Sequence, residues 1–167
     1  MYSSPEARVT EIELGATLRP QALCSLCEHA AIELDVRWRD LPDERWGQTV
    51  VTAQGRQVPV AETLWMRTRE VWLHSVDLRA GMRVCDLPDS VLRRLLTDVV
   101  GLWVQRGQLG RLRLVETNGR RQSWGVDEDV TVEVAGELPR LVTWATGRGS
   151  GGVLWSKGRP QPAPRWI

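Results

Sequence analysis

Near residue 84 the spacing of apolar residues changes, and this change constrains the fold more than any other feature. Ahead of it, helical spacing dominates; beyond it, short alternating runs are interleaved with helical ones. Ser4-Pro5 opens the first predicted helix, with Ser as N-cap and Pro at the first helical position, and Gly15 closes it. A second helix is expected from Pro20 to Trp38, with Leu23, Cys27, Ala30, Ala31 and Leu34 at core spacing. Leu41-Pro42-Asp43 ends it. Val50 and Val51, then Val58 and Val60, flank Gln54-Gly55 as a hairpin, and a third helix spans Ala61 to Ala80 before Gly81.

The second part reads differently. A helix follows Pro88 through Leu92, Leu95, Leu96, Val99 and Trp103 to Gly107. RLRLVET and RRQSWGV flank Asn118-Gly119, the strongest short hairpin signal in the chain. TVEVA (131–135) reads as a strand, and Glu137 to Thr146 as a short helix ending in Gly147-Arg148-Gly149. The Pro-rich tail from Gly158 is expected to wrap the surface, with Trp166 as its anchor. The expected fold class is α+β: a helical part, residues 1–84, and a small α+β domain, residues 85–167. Three helices are one too few for the common up-down four-helix closure, a first hint of a missing element.

A net charge of +1 gives no electrostatic footprint for nucleic acid, so Arg93-Arg94 and Arg120-Arg121 read as solvated pairs. No apolar run is long enough to span a membrane and the N-terminus lacks signal-peptide character, so a cytoplasmic location is expected. Of the 22 basic residues only Lys157 is a lysine. Guanidinium groups suit acidic substrates, although GC-rich codon usage explains the same bias. Three cysteines without a secretory signal imply reduced thiols. Cys24-x-x-Cys27-x-His29 resembles part of a zinc motif, but Cys85 alone completes no second ligand pair. Cys24 and Cys27 therefore read as small buried residues, and His29 as a poor substitute ligand.

Chemistry concentrates on the third helix, AETLWMRTREVWLHSVDLRAG. Glu70 and His74 are four apart and share a face, and Asp77 lies on the same side. An inward-facing pair at this spacing reaches one divalent cation, with Asp77 orienting the imidazole from the outer shell. Spacing alone favours a solvated ion pair over a metal site. Val71, Leu73, Val76 and Leu78 predict that the helix is well buried.

WMRTREVWLHSVDLRAG resembles the signature helix of the mycothiol-dependent maleylpyruvate isomerase family, whose helical part has the DinB-like metal-binding fold. RVTEIELGATLRPQAL, LPDERWGQTVVTAQGRQVPVAETLWMRTREVWLHSVDL, WATGRGSGG and the closing PAPRWI resemble further family segments in the same order, over essentially the whole chain. The resemblance implies a metal, expected to be Zn2+, held by Glu70 and His74 together with a histidine on a first bundle helix that has no counterpart here. The third ligand is thus expected to be absent from the chain, which puts the activity of this polypeptide alone in question. It also implies catalytic roles for Arg148, in TGRG, and Arg8, in PEAR. The implied reaction is cis–trans isomerisation of a small dicarboxylate by addition and elimination of the mycothiol thiol. Arg8 and Arg148 would grip the carboxylates or the enolate; pairing with a helix C-terminus describes Arg148 equally well. Two other functions stay open at this level: a non-catalytic binding or regulatory module on the same scaffold, and a metal-dependent thiol transferase or hydrolase. Monomer and dimer both stay open.

Overall fold

The computed structural model describes residues 4–52, 55–125, 130–150 and 152–166. The chain divides into two compact units, Met1–Arg67 and Thr68–Ile167.

In the N-terminal unit, Ser4 caps α1 (Pro5–Ala16) by accepting from the Ala7 backbone N–H at 3.1 Å, as the Ser-Pro start predicts. α2 (Pro20–Arg39) follows, then the antiparallel pair β1 (Thr49–Val51) and β2 (Gln57–Pro59), with Val50 opposite Val58. Of the predicted Gln54-Gly55 turn, Gln54 lies outside the described residues; Gly55 has φ +78°. α3 (Val60–Asp77) begins here, and the division between the units falls within it. The Trp38 indole N–H donates to Thr63 Oγ1 at 3.2 Å, which ties the end of α2 to the start of α3.

α2 corrects one expectation. None of its residues is buried: Leu23, Leu26, Ile32 and Val36 are 37–58% exposed, and Cys24 and Cys27 are exposed free thiols. Its apolar residues are at core spacing, yet in this structure they stand exposed. α3 is likewise less covered than predicted. Leu73 is 2% exposed, whereas Val71 and Leu78 are 51% and 78% exposed.

The C-terminal unit holds the larger core. α4 (Asp89–Gln105) buries Leu92, Leu95, Leu96, Val99, Val100 and Trp103, the positions its 3.6-residue period predicts. The remaining elements are β3 (Leu112–Glu116), β4 (Ser123–Trp124), β5 (Val132–Gly136), α5 (Leu138–Ala145) and β6 (Leu154–Trp155). The sheet order is β4-β3-β5-β6, with β3 and β5 parallel and both outer pairs antiparallel. α5 packs against α4 and the sheet, and Trp144 meets Trp103 and Trp155 edge-on, with centroids 5.8 and 5.9 Å apart. Such pairs place a positive ring edge on a negative face.

Arg93 is not the solvated residue predicted. Its guanidinium binds both carboxylate oxygens of Glu116, at 2.8 and 2.9 Å, and the two side chains are only 12% and 3% exposed. The hairpin loop at Asn118-Gly119 fits around this pair. Gly119 has φ +68°, and a Cβ there would lie 2.8 Å from Glu116 Oε1. Gly119→Ala is therefore expected to cost about 1–2 kcal/mol, read by chemical denaturation, because it adds left-handed strain and disturbs the ion pair.

Candidate functional site

The last two turns of α3 present the predicted polar residues together. His74 Nε2 lies 3.2 Å from Glu70 Oε2, and His74 Nδ1 lies 3.1 Å from Asp77 Oδ2. The Glu70 and His74 side chains are 43% and 65% exposed, so the pair faces outward rather than into a core. Asp77 in turn receives Arg148, which donates from Nε to Oδ1 at 2.8 Å and from Nη2 to Oδ2 at 2.6 Å. This clamp joins α3 to the turn after α5 across 71 positions of sequence. The Arg148 guanidinium, first by hydrogen bonding, holds the Asp77 carboxyl below its usual range against the opposing effect of burial.

Arg148 combines both roles its sequence context allows. Nη1 donates to the Thr146 carbonyl at 3.2 Å, which satisfies the C-cap carbonyl of α5. With Nε, Nη1 and Nη2 each donating once, two of its five N–H bonds keep no partner among the described residues. Arg148 is among the residues that line an open cleft of about 490 Å3, together with Asp77, Gly147, Pro164, Arg165 and Trp166. That volume suits a small acid. Arg8 is an exposed residue of α1, in the N-terminal unit.

The donor chemistry bears directly on a cation. If Nδ1 donates to Asp77, a singly protonated imidazole would turn its Nε2 lone pair toward Glu70 Oε2. Two acceptors 3.2 Å apart need a proton or a cation between them. Two ligands of one tetrahedral zinc, each about 2.0–2.2 Å from the ion, are separated by about 3.3–3.6 Å. The Glu70–His74 spacing of 3.2 Å is a hydrogen-bond distance and lies close to that range. Among the described residues, however, no third His, Cys, Asp or Glu joins the pair in a metal-binding group. His29 is an exposed residue of α2.

Arg69 escaped the sequence reading of this site, and Trp166 was read only as the anchor of the tail. Arg69 donates to Glu70 Oε1 from Nη2 at 3.2 Å and places its guanidinium carbon over the Trp166 ring, 5.6 Å from the centroid. Trp166 is 8% exposed and donates its indole N–H to the Thr146 carbonyl at 3.4 Å, so it anchors the tail as predicted, but onto the site itself. Adjacent helix residues do not ordinarily face one another, so nothing in the spacing links Arg69 to Glu70.

An α+β protein with an outward Glu–His pair, an imidazole oriented by a clamped aspartate and a cleft suited to a small acid belongs to the class of small-molecule enzymes. Residues 1–79 match the family described as Mycothiol maleylpyruvate isomerase N-terminal domain. A crystal structure of the mycothiol-dependent maleylpyruvate isomerase is 44% identical, with a TM-score of 0.89, and the match covers 99% of this chain and 69% of that one. The structure of a histidine-to-alanine mutant of that isomerase matches with the same figures. No curated protein matches the chain. The chain belongs to the mycothiol-dependent maleylpyruvate isomerase family, a family of enzymes, and the α+β architecture expected from its sequence is the one observed. No helix among the described residues is long and apolar enough to cross a membrane.

Proposed function

We propose that this chain works in the cytoplasm as a mycothiol-dependent isomerase of a small cis-enedioate-type acid such as maleylpyruvate. The single observation that carries the reading is the Glu70–His74–Asp77–Arg148 chain of contacts beside its cleft. Glu70 and His74 would hold a divalent cation, Zn2+ by donor type, as two of its ligands, with Asp77 as the orienting residue behind His74. The remaining protein ligand would come from outside the described residues. When bound, the cation supplies positive charge that favours the thiolate of mycothiol, the nucleophile that adds to the alkene and leaves after rotation about the resulting single bond.

The chain's own residues do the rest. Asp77 holds His74 through Nδ1, so the ring turns Nε2 toward Glu70. Arg148 keeps two donors for a carboxylate or for the enolate oxygen that develops when the alkene is lost, and Asp77 holds it in place. Arg8 is proposed as a second carboxylate contact. Residues 1–84 and 85–167 are proposed as the two domains.

The test is isomerisation of maleylpyruvate by the purified chain supplied with Zn2+, with and without mycothiol. With only two of the metal's protein ligands assigned, turnover is expected to be low, to require both additions, and to fall further, by about a hundredfold, in Glu70→Gln. Turnover that is indifferent to mycothiol would point to another thiol or hydrolytic chemistry. Tight binding of the acid with no turnover under any condition would favour a non-catalytic module.

A further inference from the structure

The contacts around the Glu–His pair close on themselves. Glu70 Oε2 meets His74, His74 meets Asp77, Asp77 meets Arg148, and Arg148 donates to the Thr146 carbonyl. The same carbonyl accepts from Trp166, the Trp166 ring carries Arg69, and Arg69 returns to Glu70 at Oε1. Each carboxylate oxygen of Glu70 therefore has its own partner: Oε1 faces Arg69 and Oε2 faces His74. Left alone, a carboxylate that is 43% exposed rotates and exchanges its oxygens. Arg69 prevents this only if its own guanidinium is held. Its side chain is 19% exposed, and the described contacts that hold it are Glu70 itself and the Trp166 ring.

The tail is well placed to provide that hold. Residues 156–166 have no regular secondary structure, yet the segment is fastened at three points. Trp144 Nε1 donates to the Gln161 carbonyl at 2.9 Å, Arg106 donates to the Arg165 carbonyl at 3.3 Å, and Trp166 is buried. A guanidinium over an indole face is attracted by the ring quadrupole and stacks flat, an arrangement an ammonium does not reproduce.

We propose that Trp166 and Arg69 are positioning residues: the C-terminal tail, through the Trp166 ring, holds Arg69 against Glu70 Oε1 and so leaves Oε2 as the oxygen shared with His74. The role in metal binding rests on the reading of Glu70 and His74 as ligands; the positioning of Glu70 does not.

Two measurements on the full chain separate these claims. The first needs no metal: NMR of the Glu70 side-chain carboxyl carbon and the Arg69 Nε–H in wild type, Trp166→Ala, Trp166→Phe and Arg69→Lys. Trp166→Ala is expected to shift the Glu70 carboxyl resonance and speed exchange of the Arg69 Nε–H. Trp166→Phe, which keeps a ring face but no indole N–H, should restore both. The second is zinc affinity in competition with a chromogenic chelator. Trp166→Ala and Arg69→Lys should weaken it about 10-fold, as loss of an outer-shell partner does, while Trp166→Phe stays within about twofold of wild type. An unchanged Glu70 resonance in Trp166→Ala overturns the proposal, as does a Phe variant no better than the Ala variant. If Trp166→Ala does not fold, Arg69→Lys decides by the same resonance. Zinc affinity unaffected by Glu70→Gln would instead remove the metal reading, while the carboxyl resonance would still decide whether Glu70 is positioned by the tail.

Discussion

Replacing Arg148 with alanine is expected to lower kcat for the isomerisation by about 10²–10³, the cost of losing one preorganised donor to a developing oxyanion. KM should rise less, because the enolate oxygen carries more charge than the ground-state acid. Arg148→Lys should recover little. Asp77 binds two different guanidinium nitrogens while a third binds the Thr146 carbonyl, and a single ammonium cannot reproduce that fork. Steady-state kinetics over a range of substrate concentrations checks this. An alanine variant with wild-type kcat and a raised KM would make Arg148 a binding residue only.

The largest expected effect on stability lies away from the site. Arg93→Ala leaves the Glu116 carboxylate, 3% exposed, without its cation, and removing one partner of such a pair costs about 3–5 kcal/mol. Against a typical domain stability of about 5–15 kcal/mol, this approaches unfolding. The double replacement Arg93→Met with Glu116→Leu should recover most of the loss, since it leaves no orphaned charge. The pH dependence has a definite sign. Arg93, chiefly by hydrogen bonding, holds the Glu116 carboxyl below its usual range, and Arg93 itself is raised by the same bond. Glu116 therefore contributes stability that is fully present above the ordinary glutamate range and is lost as pH falls through its lowered value. Melting temperatures between about pH 6 and pH 3 should decline less steeply in the double variant than in wild type.

How much of this was legible in the sequence depends on the range of the interactions. α4 follows from its apolar period, which is local, and its buried face is the one the period marks, while α5 was legible as a short helix ending before Gly147. The Glu70–His74–Asp77 arrangement is also local, set by one helix, so spacing alone placed its three side chains together. The Arg148 clamp was legible only as a charge after a helix; that it reaches Asp77 depends on tertiary structure. Arg93 looked like half of a solvated basic pair because its partner, Glu116, lies 23 positions away on a strand. The reverse failure is α2. Its apolar spacing predicts a covered face, and Cys24 and Cys27 a buried environment, but periodicity says which side would be covered and not whether anything covers it.

The proposed chemistry depends above all on Glu70 and His74 sharing one divalent cation. Cobalt(II) titration of the purified chain, followed by visible absorption, tests this most directly. One equivalent of cobalt per chain is expected, with ligand-field bands that disappear in both Glu70→Gln and His74→Ala. Bands of undiminished intensity in the Glu70→Gln, His74→Ala double variant would contradict it.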